Sequence, residues 1–340
     1  MIWGLNIAAF SWSVGLGAAV PVIPLLAYQL QPDLALAGLV VAMGGLGRLF
    51  VSYITGYMLD RFGRRKVGMV GVTIRMIFAV LEGLAPTYLA LVAFRFMSGV
   101  GTAIWGTGLA TITADISNSS DRGSVVGRRQ GFTQLGAILG PFLGAAAWGI
   151  TGDIRVPFFI NGFSKFICLL VFIFIMMDTS KLSRGEQEVV TRRKAARARD
   201  SQGRRSGAVQ WGNGMMAAFA SSGLFLVLFG MFTIGMFRAS VPDTLLPIYV
   251  RTVLELPQSQ LGLIISAIGV GGLFASFVAG RLVDRWNVAA AIIPGALFSF
   301  FGLFLIVQGL GGPILVLIGV ALGAGAALIM VGTHAFAVDV

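Results

Sequence analysis

Charge is scarce in this chain: 11% of its 340 residues are Asp, Glu, Lys or Arg, where a soluble domain carries about 25%. Missing charge is missing water-facing surface, so a soluble enzyme, a DNA-binding domain and a secreted scaffold are excluded. Cysteine is almost absent as well. Cys168 stands alone, which rules out an intramolecular disulfide and any multi-cysteine metal site. The single histidine, His334, reads as a helix-end residue. No Gly-x-x-x-x-Gly-Lys phosphate loop occurs, so ATP has no support as an energy source. No nucleophile elbow or His pair supports a membrane-embedded hydrolase. No cofactor and no metal are expected, and the chain is not expected to be an enzyme.

What is present is apolar: 56% of residues are hydrophobic and the mean hydropathy is +0.88. A bilayer is the solvent that tolerates such a chain, and 47 glycines suit helices packed closely in lipid. The net charge of +11 does not point to nucleic acid, because the 25 Lys and Arg are strung between apolar runs rather than gathered in a patch.

A helix rises about 1.5 Å per residue, so about 20 apolar residues cross a hydrocarbon core roughly 30 Å thick. Ten segments qualify: 4–29, 36–58, 67–85, 87–111, 130–151, 156–177, 218–248, 260–281, 288–309 and 312–335. No basic residue precedes the first, so it reads as a retained helix rather than a cleaved signal peptide. The connections alternate in charge. One set holds 18 of the 25 basic residues, at 61–66, 122–129, 178–210 and 281–285; the opposite set holds only Arg155 and Arg251. The rich side is predicted to be cytoplasmic, which puts both ends of the ten-span chain in the cytoplasm.

Residues 38–62 align without gaps to residues 262–286 at an offset of 224, with ten of 25 positions identical, including Gly45, Gly47, Gly56, Asp60 and Arg61 with their partners. Two like-oriented repeats are implied: a six-helix bundle over 1–177, a basic cytoplasmic linker over 178–214, and a second bundle over 215–340. The joint, polar and rich in Arg and Lys, reads as solvated or lying on anionic lipid.

The second span ends in Gly56-Tyr-Met-Leu-Asp60-Arg61-Phe-Gly63-Arg64-Arg65-Lys66. Gly56 is expected to let a neighbouring helix approach, Gly63 to permit a tight turn, and Asp60 to pair with basic groups or a helix N-terminus. Such a cluster can latch two bundles and release as they rock apart; otherwise it is an orientation anchor. This segment resembles the loop 2–3 signature of the major facilitator superfamily of secondary transporters. Gly280-Arg-Leu-Val-Asp284-Arg285 resembles its degenerate second copy. Span four, with Arg95, Ser98, Gly99 and Gly101, resembles the family's arginine motif. Span five, with Gly127, Gly136, Gly140, Pro141, Gly144 and Ala145, resembles its antiporter motif. Pro21 and Pro24 in span one are similar to the Pro-x-x-Pro element of the drug–proton antiporter branch.

The resemblance implies an all-α polytopic membrane protein of the major facilitator fold, two parallel six-helix repeats with the second incomplete. It implies a carrier working by alternating access, with a small-molecule substrate and protons meeting near the midplane between the repeats, acting as a monomer. The family has twelve spans where this chain shows ten, so spans eleven and twelve are expected to be missing. Proton-coupled efflux of a drug or metabolite is the leading expectation. A proton symporter or uniporter for a sugar or organic anion, and a non-transporting scaffold on the same fold, remain open.

Bottom-up, Gly136, Gly140 and Gly144 share one helix face, a groove for close packing, while Pro141 bends the helix and frees a backbone carbonyl. Charges inside spans cost at least about 2.5–3.5 kcal/mol each on insertion scales, so each is a functional candidate. These are Arg75, Arg95, Lys165 and Arg238, with Arg48 assigned a structural or gating role. Glu82 and Asp243 are the carboxylates in the outer halves of the spans, candidates to take up and release a proton or else solvated helix ends. Glu82 follows Arg75 by seven residues, about 10 Å along one helix, so these two are not expected to pair. Five interior cations against two acids predict a cavity favouring anionic, zwitterionic or neutral substrates.

Overall fold

The computed structural model describes residues 2–116, 122–175, 241–286, 289–309 and 311–339, which are helical apart from short connections. The first span is α1 (Ile2–Ala19), one 3-10 turn (Val20–Val22) and α2 (Ile23–Leu30). Then follow α3 (Leu34–Phe62), α4 (Arg64–Leu84), α5 (Tyr88–Ile116), α6 (Arg122–Thr151) and α7 (Val156–Phe174). A π turn (Val241–Leu245) leads into α8 (Leu246–Thr252), and α9 (Gln258–Arg285), α10 (Ala289–Val307) and α11 (Gly312–Asp339) complete the order. Nine helices among the described residues are long and apolar enough to span a bilayer, each coinciding with a span read from hydropathy. Arg238, the linker and most of span seven lie outside the described residues, as do the surroundings of Gly280 and the side chains of Asp284 and His334.

Local chemistry sets the boundaries. Asp33 caps α3, its Oδ1 accepting from the Ala35 and Leu36 amides at 2.7 and 3.2 Å. Gly63, at φ 91°, reverses the chain between α3 and α4, a conformation a Cβ disfavours. Pro21 and Pro24 lack the N–H that a continuous helix needs, and α1 gives way there to the 3-10 turn.

In lipid, apolar surface does not drive helices together; close backbone approach does. The offset of 224 reappears here in space. A Cβ on Gly47 would strike the Phe96 carbonyl, and one on Gly271 the Val320 carbonyl. One on Gly99 would strike Gly44, and one on Gly323 would strike Ile268. Each of these pairs differs by 224 on both sides. The α3–α5 and α9–α11 crossings are therefore the same joint built twice. Gly71 with Gly101, and Gly295 with Gly325, repeat it for α4–α5 and α10–α11.

The antiporter-like helix α6 holds α1. Cβ atoms on Gly136 and Gly144 would stand 2.5 and 2.6 Å from the carbonyls of Phe10 and Ala18, and one on Gly140 would strike Val14. From the other side α7 staples α1: Ser164 donates to the Ser11 carbonyl, Lys165 to Trp12 (2.7 Å) and Cys168 to Ala8 (3.2 Å).

Between the repeats, contact is concentrated at the end away from the Arg-rich turns. One apolar cluster there joins Ile23, Leu26, Val40 and Trp148 to Leu246, Val250, Leu261 and Ile318. At the Arg-rich end the clusters stay separate, with Leu59, Val67 and Ile104 in the first repeat and Ala275, Ala279 and Leu328 in the second. The crossing of α6 and α9 carries much of the seam. Gly262 seats against Pro141 and Ala145, and Ser266 donates to the Ile138 carbonyl at 2.7 Å. The counterparts of Gly262 and Gly269 on α3, Gly38 and Gly45, face open space.

Candidate functional site: a cavity between the repeats

A cavity of about 350 Å3 opens between the repeats, with walls from α1, α6, the π turn, α9 and α11. Its apolar wall includes Leu16, Ile265, Ile268 and Leu322; its polar groups are Ser13, Gln130, Gln134, Ser276 and Asp243. Pro21 and Pro141 line it, and so does Ala137, whose carbonyl receives no helical N–H because its partner position is Pro141. Asp243 is the one carboxylate among the described lining residues, and none of them is Lys or Arg. A volume of this size, mostly apolar with a few placed polar groups, suits a small organic molecule.

The other described interior charges sit elsewhere, which bears on three expectations. Glu82 is not a solvated helix end; it is fully buried. It does pair with Arg75: Arg75 Nη1 is 3.5 Å from Glu82 Oε2, both side chains being wholly buried. Two turns of helix separate their Cα atoms, but both side chains are long enough to reach along the groove and meet midway. Arg95 Nη1 lies 3.5 Å from Glu82 Oε1, so one carboxylate bridges two guanidiniums. Arg75 Nη1 also donates to Ser98 Oγ at 2.8 Å. Neither Glu82, Arg75 nor Arg95 lines the cavity, so no cation among the described lining residues supports the expectation of a site favouring anions.

Lys165 is buried too, donating to Trp12 and standing 4.4 Å from the Trp12 ring centre. That ring stacks on Trp105 at 4.5 Å and 11°. Lys165 therefore braces α1 against α7. Nothing in the sequence singles out Trp12 and Trp105, because aromatics in apolar runs carry no distinguishing signal.

At the Arg-rich end, Asp60 is 73% exposed and pairs with Arg64 at 3.2 Å across the Gly63 turn. Arg61 donates to the Tyr57 hydroxyl, and Arg65 donates to the carbonyls of Phe172 (3.1 Å) and Ile173 (2.5 Å) at the end of α7. Arg285 is exposed at the equivalent end of α9. Gly56 and Gly127 have open space where a Cβ would stand; the close approach expected at Gly56 is not made. Pro24 is buried in α2 toward the sealed end. At that end Arg251 of α8 stands 5.2 Å over the Trp148 ring of α6, a cation–π contact between the repeats.

The sequence profile of the Major Facilitator Superfamily matches residues 4–340. Among curated proteins, the chain is 23% identical over 300 residues to the class H tetracycline resistance protein of Pasteurella multocida, covering 86% of this chain and 70% of that protein. It is 25% identical over 291 residues to the class B protein of Escherichia coli, covering 83% and 66%. Multidrug resistance protein 1 of Bacillus subtilis matches at 29% over 148 residues, 43% of this chain and 37% of that protein. Among solved structures, the nucleoside transporter NupG superposes with a TM-score of 0.76 at 14% identity, covering 99% of this chain and 82% of that one. The xylose transporter XylE from E. coli, in a partially occluded inward-open conformation, gives 0.68 at 19%, covering 99% and 87%.

Proposed function

Because the chain belongs to the Major Facilitator Superfamily, a family of membrane transporters, we propose that it is a proton-coupled exporter of small cationic or neutral organic molecules, working by alternating access. The observation that carries this reading is the cavity itself, walled by both repeats, with Asp243 as its described charge. A carboxylate in an apolar cleft attracts cations, and it can hold either a proton or a cationic ligand but not both. That competition is the simplest form of antiport. The likeness to tetracycline and multidrug resistance proteins supports efflux.

The packing supports an inward-facing state. The repeats meet in one apolar seal at the end away from the Arg-rich turns and keep separate clusters at the Arg-rich end, the end assigned to the cytoplasm by its charge. Asp60 and Arg64, paired within the first repeat, would be the groups to re-pair across the gap when that end closes.

Proteoliposomes carrying the protein test this reading with ethidium as a cationic probe and fluorescein as an anionic one. An imposed proton gradient is expected to drive ethidium but not fluorescein, and Asp243→Asn to abolish the effect. Collapsing the gradient in cells should raise ethidium accumulation; lost uptake would identify a symporter instead. Preferential fluorescein transport would overturn the assignment.

A further inference from the structure

The two repeats differ at the middle of their matched helices: Arg48 of α3 stands where α9 has Gly272. Gly272 lines the cavity. The helices agree down to side-chain hydrogen bonds, since Ser52 donates to the Arg48 carbonyl at 2.6 Å and Ser276 to the Gly272 carbonyl at 2.7 Å. The shared register thus puts Arg48 on the face of α3 that turns toward the space between the repeats, and its side chain is exposed there. The π turn carrying Asp243 packs against α3, and Arg48 lies within electrostatic reach of both Asp243 and Arg95. Arg95 is already compensated by Glu82. Among the described carboxylates of the first repeat none is paired with Arg48, whereas the charge of Asp243 acts on it from the second.

We infer that Arg48 is the specificity-determining counter-charge of the cavity, held toward Asp243 across the two repeats and competing with a cationic substrate for that carboxylate. A neutral molecule enters without disturbing the pair. A cation must displace Arg48, and in doing so it frees α3 of the first repeat from the π turn of the second. The pair therefore sets a threshold against cations and ties its release to the loosening of one bundle from the other. Because the matched position of the second repeat is Gly272, this counter-charge is not duplicated there. The inference rests on the reading of the cavity as the substrate site.

The full chain, purified in detergent, is titrated with ethidium as wild type, Arg48→Gln, Asp243→Asn, the double variant, Arg48→Lys and the charge swap Arg48→Asp with Asp243→Arg. Arg48→Gln is expected to tighten ethidium about tenfold, equivalent to about 1.4 kcal/mol, and Arg48→Lys to stay near wild type. In the Asp243→Asn background, Arg48→Gln should change binding by less than about twofold, and the swap should return thermal stability to near wild type. Without ligand, the midpoint shifts of the two single variants should be non-additive. Additive midpoints overturn the pair whatever ethidium does. Equal tightening by Arg48→Gln with and without Asp243 overturns the competition. Coupled midpoints with no ethidium binding sustain the pair and overturn the cation reading of the cavity.

Discussion

Glu82→Gln is the perturbation that most sharply separates a structural charge from a transport charge. Glu82 holds two guanidiniums at 3.5 Å each. At an effective dielectric constant near 20, one such contact amounts to about 5 kcal/mol of Coulomb attraction, opposed by desolvation and by repulsion between Arg75 and Arg95. The net cost of removing one member of a buried ion cluster is about 3–5 kcal/mol, because the remaining charges lose their compensation. Glutamine keeps the shape but turns an amide N–H toward one of the arginines. For a chain of this size that corresponds to a fall in thermal midpoint of about 4–7 °C, read by fluorescence-detected size exclusion in detergent. Replacing all three groups together, Arg75→Met with Glu82→Leu and Arg95→Met, should cost less than Glu82→Gln alone, since no unpaired charge is left. The second repeat shows that the fold tolerates this: its matched residues are Ser299, Ile306 and Gly319. If Glu82→Gln keeps its midpoint but loses proton-coupled transport, the structural role is refuted and Glu82 carries the proton. A triple variant less stable than the single one would refute the charge reasoning.

Other substitutions discriminate in different ways. Asp60→Asn should change the midpoint little, because an exposed pair contributes about 0–1 kcal/mol, yet it should lower transport at least severalfold if Asp60 helps close the Arg-rich end; unchanged flux in proteoliposomes would make the motif an orientation anchor. Gly140→Val would drive a branched side chain into the backbone of α1 at Val14 and should abolish a monodisperse elution peak, whereas Gly127→Val, at a position facing open space, should leave that peak intact. Trp148→Ala removes a buried indole from the seal and the partner of Arg251, at about 3–5 kcal/mol for the packing loss. Maleimide labelling of a cysteine at Ile154 should rise as the sealed end opens, and unchanged labelling would argue against the seal.

Much of this protein was legible in one dimension. Hydropathy located all nine described membrane helices, because in a bilayer each helix must satisfy its own backbone and present apolar side chains along its length. The match of Gly45, Gly47 and Gly56 to the second half announced the repeat, and Gly136, Gly140 and Gly144 announced a close helix contact. Interior charge was legible only as existence. Arg75 and Glu82, seven residues apart, read as too distant to pair, since helix rise says how far apart two Cα atoms lie and not where two long side chains reach. Arg95 joins them only through the α4–α5 crossing, which no spacing within one helix reveals. Asp243 and Glu82 both read as outer-half carboxylates; one lines the cavity and the other is buried where α4 meets α5.

Composition, hydropathy and the repeat thus determined by themselves that the chain is a membrane bundle of matched halves, and the distribution of basic residues argued for its orientation. Those properties belong to each helix singly, or to two helices compared by register, and need no partner to be read. Tertiary structure alone decided which interior charges cancel one another and which face the cavity, and which end of the seam is shut. These depend on the rotation of each helix about its own axis against its neighbours, a quantity set by packing between segments far apart in the chain.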